Sequence, residues 1–438
     1  MTAYASLGRL RGLASTVGRR DFTRTVARTA AFNISATVAA GLGGLIIARA
    51  LGPTARGEYA AVTAWFGVAL MVGGMGQPAA LCFYVARDAQ RAPAYVATSR
   101  AMMLVTGSVA LCSGLLLAPI LAHGNPAMLT GYRIAFAASI MAFVGASLTF
   151  SLQAQNLRQW NLVRITQPVL SFMGIAILWR LRVLTVDTAL VVLSGTMLLQ
   201  LAWAYGCCRR EGLVPGHAQM ALVRPLATYG AAQIAALTPA ALNAQLDQLV
   251  LSQTVPPAEL GRYAVAVSLS LFPIPLVSAI GNVAFPRLAA QSKMTQASRR
   301  LQKASVAGSF VISAGLTIPF AAVAYWIVPL VYGPAYREAV PLLWILAPGS
   351  VFFACGQVVG DLLRGKGQPS AVAWAQGLAA VFTVVLLLAL LPFVGVYGAA
   401  IASTVAYGVA LAAMLRRLRH QPPRHARRRT AEAIPAAG

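Results

Sequence analysis

Acidic residues are scarce in this chain: ten Asp and Glu stand against 35 Lys and Arg in 438 residues. Charge of either sign makes up only 10% of the sequence, whereas a soluble domain carries about 25%. With 58% hydrophobic residues and a mean hydropathy of +0.70, the apolar surface exceeds what one water-soluble core can hide. The solvent is therefore a bilayer. Chemistry-bearing residues are few as well. The histidines are His123, His217, His420 and His425, all outside the apolar runs. The cysteines are Cys82, Cys112, Cys207, Cys208 and Cys355, with no C-x-x-C spacing and no neighbouring histidine. They read as small apolar fillers, and neither a metal site nor a His-based catalytic set is expected. No Walker A sequence, no Ser/His/Asp set and no carboxylate pair suited to acid–base work is present. The connectors expected outside are all short, which leaves no external domain for a polymerase or ligase. The chain is expected not to be an enzyme.

What is abundant is apolar length, and it is repeated. Residues 51–64 read LGPTARGEYAAVTA, and residues 255–268 read VPPAELGRYAVAVS. Pro53, Gly57, Tyr59 and Ala60 correspond to Pro257, Gly261, Tyr263 and Ala264 at one constant spacing of 204. Each copy closes one apolar run, turns, and opens the next. A repeated turn between repeated spans implies two homologous halves, and in membrane proteins such halves commonly enclose a transport site. About twenty apolar residues suffice to cross a bilayer. On that measure spans are expected near residues 30–51, 58–85, 99–121, 133–155, 162–179, 187–207, 228–253, 260–286, 304–331, 339–363, 370–391 and 395–415. That makes twelve, six in each half, with the fifth the weakest.

The net charge of +25 is not a nucleic-acid signature, because the charges sit between spans and in the tails. Residues 1–28 carry six arginines and residues 416–438 carry seven. The connectors on the same side hold fifteen more: Arg87, Arg91, Arg100, Arg158, Arg164, Arg209, Arg210, Arg224, Arg287, Lys293, Arg299, Arg300, Lys303, Arg364 and Lys366. The other side holds Arg56, Arg133, Arg180, Arg182, Arg262 and Arg337, and Arg49 falls inside the first span. That bias places both termini in the cytoplasm. Arg180 and Arg182 are its exception. The expected organisation is a basic cytoplasmic segment (1–29), an N-lobe (30–208), a connector (209–226), a C-lobe (227–415) and a basic disordered tail (416–438). GRRDFTR, residues 18–24, looks like a twin-arginine signal, but the following run is long enough to span and reads as a retained anchor.

Glycine and proline interrupt the spans: Gly41, Gly43 and Gly44, then Gly73, Gly74, Gly76 and Pro78, with Pro239, Pro273, Pro275, Pro319, Pro329 and Pro348 later. Freed backbone groups are tolerated where a neighbouring helix or a cavity satisfies them. Two acids lie within spans, Asp247 and Asp361. Gln233, Ala236, Ala240, Asn243 and Asp247 share one helix face through steps of three and four. Asp247 either lines a central cavity and meets substrate or a coupling cation, or makes a structural bond between helices. Asn33 and Thr37 share a face of the first span, with Arg28 at its cytoplasmic entrance. Arg49 either snorkels outward or contacts substrate. Asp361 and Arg364, at i,i+3, read as a local ion pair or a gate. The basic connectors also suit anionic lipid headgroups.

The stretch IIARALGPTARGEYA followed by Gly76-Gln77-Pro78 resembles the opening of polysaccharide flippases, the Wzx-type O-antigen and teichoic-acid exporters of the multidrug/oligosaccharidyl-lipid/polysaccharide superfamily. NAQLDQLVLSQTVPPAELGRYAVAVSL, which holds Asp247, resembles the start of their second half. VYGPAYREAVPLLWILAP (331–348) and VGVYGAAIASTVAYGVALAAMLRRL (394–418) are similar to their later spans. The resemblance covers roughly residues 30–418. It implies an all-α membrane protein of twelve transmembrane helices, in two six-helix lobes forming a V around a central cavity, working by alternating access. The implied cargo is a polyprenyl-pyrophosphate-linked oligosaccharide moved from the inner to the outer leaflet of a bacterial cytoplasmic membrane. A polysaccharide polymerase or glycosyltransferases are the implied partners, and a monomer is expected. Arg24, Arg28, Arg364 and Lys366 are then cytoplasmic candidates for the pyrophosphate. No cofactor is expected, and a proton, sodium or the membrane potential would supply the drive. Two other readings use the same fold: a multidrug or cation antiporter with Asp247 as its ion site, and a lipid II flippase. The latter resembles a fourteen-helix design, which twelve spans do not match.

Overall fold

A computed structural model describes residues 19–243, 245–289, 296–366 and 368–419, apart from the side chains of 19–27 and of some residues around 232–242 and 282–289. The described residues are almost entirely helical, with no strand among them. In chain order the helices are α1 (Arg19–Gly73), α2 (Gln77–Arg87), α3 (Ala92–Leu121), α4 (Pro126–Ala137), α5 (Ser139–Gln155), α6 (Leu157–Arg180), α7 (Val186–Arg210), α8 (Met220–Asn243), α9 (Leu246–Thr254), α10 (Pro257–Ser270), α11 (Ile274–Ala289), α12 (Gln296–Tyr332), α13 (Ala339–Gly365), α14 (Pro369–Val394) and α15 (Val396–Arg419). A single 3₁₀ turn, Pro334–Tyr336, separates α12 from α13.

Nine helices among the described residues are long and apolar enough to cross a bilayer, and ten if the bent pair α10–α11 forms one span. The difference from twelve lies at named breaks. The first two expected spans run together as α1, which turns at Gly52 with φ 80° and ψ −179°. A left-handed backbone there costs a residue with a Cβ about 1–2 kcal/mol and glycine nothing comparable. The seventh expected span is divided between α8 and α9. The eighth bends by 44° between α10 and α11, where Pro273 lacks an N–H to continue the ladder. The fifth, weakest on composition, is one 24-residue helix, α6, with Pro168 inside it. Its polar first turns pack as well: the Arg164 guanidinium lies 4.3 Å from the Trp160 ring centre.

The described chain divides into two compact units, Met1–Leu269 with Val323–Leu343, and Ser270–Ala322 with Trp344–Gly438. The first has its core where α2, α3, α5, α6, α7 and α8 meet, around Leu81, Val96, Leu148, Leu152, Val163, Cys208 and Leu226. The second is centred on Cys355, Val359, Ala375, Ala379 and Ala406, with Val277, Val358 and Leu362 alongside. Leucine and valine fill these cores, with alanines such as Ala375, Ala379 and Ala406 where helices of the second unit approach closely. The five cysteines are unpaired by disulfides. Cys207 donates to Gln159 Oε1 at 3.2 Å and Cys208 to the Leu148 carbonyl at 3.4 Å, so they fill and tie helix contacts. Outward-facing positions are large and apolar, including Leu116 at 77% and Phe393 at 85% exposure. That inversion of the soluble pattern makes the chain a multi-pass membrane protein.

The two copies of the repeated turn meet each other. A Cβ on Gly57 would run into the Pro257 carbonyl and the Gly261 amide, and a Cβ on Gly261 would run into the Pro53 carbonyl and the Gly57 amide. The contact is reciprocal, as at an isologous two-fold interface. A second crossing joins Gly76 to Gly230, each Cβ position being occupied by the other strand of backbone. Gly57→Ala or Gly261→Ala should therefore lower stability by about 1–3 kcal/mol or more, the usual cost of overpacking. Gly195→Ala in α7, where nothing lies within 4 Å of the added carbon, should be neutral or stabilising. Thermal unfolding of the purified variants in detergent measures both; equal melting of Gly57→Ala and Gly195→Ala would refute the crossing.

Candidate functional site

The expected site residues are divided between the two compact units. Arg24's side chain lies outside the described residues. Arg28 is exposed on α1. Asn33 and Thr37, one turn apart on the same helix, are exposed too, and the Thr37 hydroxyl donates back to the Asn33 carbonyl at 3.0 Å. Arg49, at the far end of that span, is exposed, and its guanidinium donates to the Leu330 and Val331 carbonyls at 2.6 and 2.5 Å. Those carbonyls end α12, where the negative end of the helix dipole attracts a cation. Arg49 thus reaches to a helix terminus, the geometry of a tether.

Gln233 is half-buried on α8 and Asn243 is buried at its end. Asp247 is only 2% exposed, in the first turn of α9. One carboxylate oxygen accepts from the Gln248 amide at 2.7 Å, and the other accepts from the Tyr263 hydroxyl at 2.5 Å. Tyr263 is fully buried and belongs to the repeated motif. The aspartate therefore links the turn's tyrosine to the start of α9, and a helix N-terminus favours its charge. In the second unit, Arg364 donates to Asp361 at 2.7 Å. Asp361 also presses on Gly281, where a Cβ would collide with its carboxylate. Lys366 donates to the Leu418 carbonyl at 3.4 Å. Burial, with Arg299 adding to it, holds its ammonium below the usual lysine range.

A concavity in the first unit lies apart from these residues. A cavity of about 330 Å³ is lined by Arg56, Tyr59, Thr63, Phe66, Gly67 and Leu70 of α1, with Leu193, Gln248, Ala264 and Ser268 across from them. Among the described residues, no Asp or Glu lines it. Arg56 is half-buried, its guanidinium 5.9 Å from the Tyr59 ring centre. Its Nε is buried with no hydrogen-bond partner, and no carboxylate is paired with it among the described residues. Tyr336 stands close by and donates to the Ala48 carbonyl at 3.0 Å. Burial pushes its phenol above the usual tyrosine range, and Arg56 works in the opposite direction. The wall thus holds one unpaired cation with hydroxyl and amide groups, a composition that can receive an anion bearing polar substituents. Sequence reasoning assigned Arg56 to a connector. The signal that could have found it is its place in the repeat, beside a glycine that brings two backbones into contact.

Removing the Tyr263 hydroxyl should leave a buried carboxylate short of a charge-assisted hydrogen bond, worth about 1.5–3 kcal/mol. Tyr263→Phe is expected to lower the melting temperature clearly, and Tyr263→Phe with Asp247→Asn to lower it less than the two separate losses combined. Strict additivity would show that the two residues are not coupled.

The chain matches the family described as "Polysaccharide biosynthesis protein" over residues 23–292. No curated protein matches it. Among solved structures, the lipid II flippase MurJ in an inward closed conformation is similar with a TM-score of 0.76 at 10% identity, covering 89% of this chain and 88% of that one. An inward-facing multidrug resistance MATE transporter of the MOP superfamily gives 0.73 at 13%, covering 87% and 94%. A Pyrococcus furiosus MOP transporter, described as having a binding pocket of reverse polarity that suggests a different function, gives 0.57 at 14%, covering 87% and 95%. At these identities the likeness shows the fold. With the family match spanning more than half its length, the chain belongs to the polysaccharide biosynthesis protein family, and its fold is that of the multidrug and lipid II transporters it resembles.

Proposed function

We propose that the chain is a flippase that moves a polyprenyl-diphosphate-linked oligosaccharide across the cytoplasmic membrane for cell-surface polysaccharide synthesis. The observation that carries this reading is the cavity with Arg56 in its wall and no acid. A diphosphate-linked glycan offers anionic oxygens to an unpaired guanidinium, and hydroxyl groups to Thr63, Gln248 and Ser268. An antiporter of cationic drugs needs an accessible carboxylate instead, and Asp247 is held by Tyr263 and the Gln248 amide. The family match supports a polysaccharide role. The organisation that goes with the proposal has twelve spans in two six-helix lobes and both termini in the cytoplasm. An inside-negative potential would then favour outward passage of each negative charge by ~2.3 kcal/mol per 100 mV. Arg28, exposed near the start of the first span, is placed to meet the diphosphate on entry.

Reconstitution into liposomes with a fluorescent lipid-linked oligosaccharide tests this. Leaflet exposure should rise with an imposed potential. Arg56→Gln should slow flipping by about ten-fold or more, as expected for losing one charge-assisted contact of 1.5–3 kcal/mol, with the melting temperature retained. Arg28→Glu should abolish flipping while insertion survives. Absence of flipping by folded wild-type protein, together with drug-driven proton or sodium flux lost in Asp247→Asn, would establish the antiporter instead.

A further inference from the structure

The hairpin between α6 and α7 carries two arginines on the side of the membrane that is otherwise poor in positive charge. Positive charge on that side opposes the bias that orients a membrane chain, so Arg180 and Arg182 run against topology. The local backbone makes Arg182 more unusual. Helix α6 ends with the Val183 amide bonded to the Leu178 carbonyl at 3.0 Å and the Arg182 amide bonded to the Trp179 carbonyl at 3.0 Å. This is the Schellman termination, whose left-handed position is ordinarily glycine. Here that position is Arg182, with φ 61°. Three residues on, Thr185 opens α7 with a reciprocal capping box through Thr188. The hairpin is therefore tightly built, and it holds a long cationic side chain where the backbone alone favours glycine.

Both guanidinium groups are exposed, and no carboxylate among the described residues lies within ion-pair distance of either. They line a cavity of about 440 Å³ with Trp179, Leu184, Ala50 and Leu51. The last two come from the end of the first span, just before the Gly52 turn. Around the rim, Trp179, Leu181 and Val183 are each half exposed or more, and a tryptophan at such a helix end marks the hydrocarbon boundary. Two unpaired guanidinium groups suit a phosphate, and the apolar rim suits the acyl or prenyl chain that such a phosphate carries in a membrane.

We infer that Arg180 and Arg182 form a binding site for a lipid-borne phosphate at the membrane surface, distinct from the Arg56 cavity. Two sources share that chemistry: an anionic phospholipid resident in the leaflet, and the diphosphate of a prenyl-linked cargo. Only the second rests on the flippase reading.

Thermal unfolding of the purified full-length chain in detergent distinguishes them, with dioctanoyl phosphatidylglycerol, farnesyl diphosphate and inorganic phosphate as separate probes. At least one lipid phosphate should raise the melting temperature at concentrations where inorganic phosphate has no effect. In the Arg180→Gln/Arg182→Gly double variant the apparent affinity should fall by about ten-fold or more, for two lost charge-assisted contacts. Stabilisation by phosphatidylglycerol supports a resident lipid; stabilisation by farnesyl diphosphate alone supports a cargo station. Arg182→Gly by itself should melt no lower than the parent chain without ligand, because glycine relieves the left-handed backbone, yet bind more weakly. That separates lost recognition from lost folding. No shift with either lipid, an equal shift from inorganic phosphate, or a shift unchanged in the double variant would overturn the site, whatever the flipping assay shows.

Discussion

The crossing of Gly57 on Gly261 is the contact on which the first unit depends. Each glycine takes the place of a side chain that would collide with the opposite backbone, so the two copies of the repeated turn approach to main-chain distance. In a bilayer, little hydrophobic force draws helices together, and close packing of small residues has to do so. The neighbours of the crossing follow from it. Tyr59 and Arg56 stand on one copy, and Tyr263 on the other reaches Asp247. Arg262 pairs with Glu338 at 2.6 Å, bringing the turn after α12 to the same end. Tyr336 and Arg49 complete that end by bonding, respectively, to the Ala48 carbonyl and to the carbonyls that finish α12.

Seen this way, the two intramembrane carboxylates do similar work in different places. Asp247 is bonded to a tyrosine and a helix amide, and Asp361 to Arg364 while lying over Gly281. Each charge is matched locally, as a low-dielectric setting demands. Arg56 is the contrasting case, since its Nε is buried without a partner. On the flippase reading, that unmet donor, which desolvation makes expensive, is where an anionic cargo would bind.

Much of the helical framework was legible in the sequence, because apolar length and turn residues are local properties. The repeat at 204-residue spacing marked the positions that later proved to touch, and Pro273 marked the bend between α10 and α11. The fifth span reads as weak because its first turns are polar, Arg164 among them, whose guanidinium lies over Trp160 one turn earlier on the same helix. The cavity was harder to see. Arg56 follows a Pro–Thr–Ala turn and reads as a connector residue by composition. The groups set around it include Tyr332 and Tyr336, far from it in sequence. Periodicity on α8 and α9 did bring out Asp247, but the tyrosine that holds it sits in the next helix, beyond the reach of any single-helix pattern.

The sparse arginines that the sequence reading assigns to the charge-poor side illustrate how a weak rule becomes informative through its exceptions. A positive residue there works against the orienting bias, so it persists best where the fold gives it a use. Arg262 has Glu338. Arg337 lies 5.5 Å from the Tyr325 ring centre, within cation–π range. Arg56 lines a cavity that no acid enters. Nothing in the structure explains Arg133, which is exposed. Arg180 and Arg182 remain, unpaired, beside a tryptophan, one of them in a backbone conformation that glycine would hold with less strain. The side chains with the least support from their own structure are therefore those whose partner is most reasonably sought outside the chain, in the phosphates of the surrounding membrane.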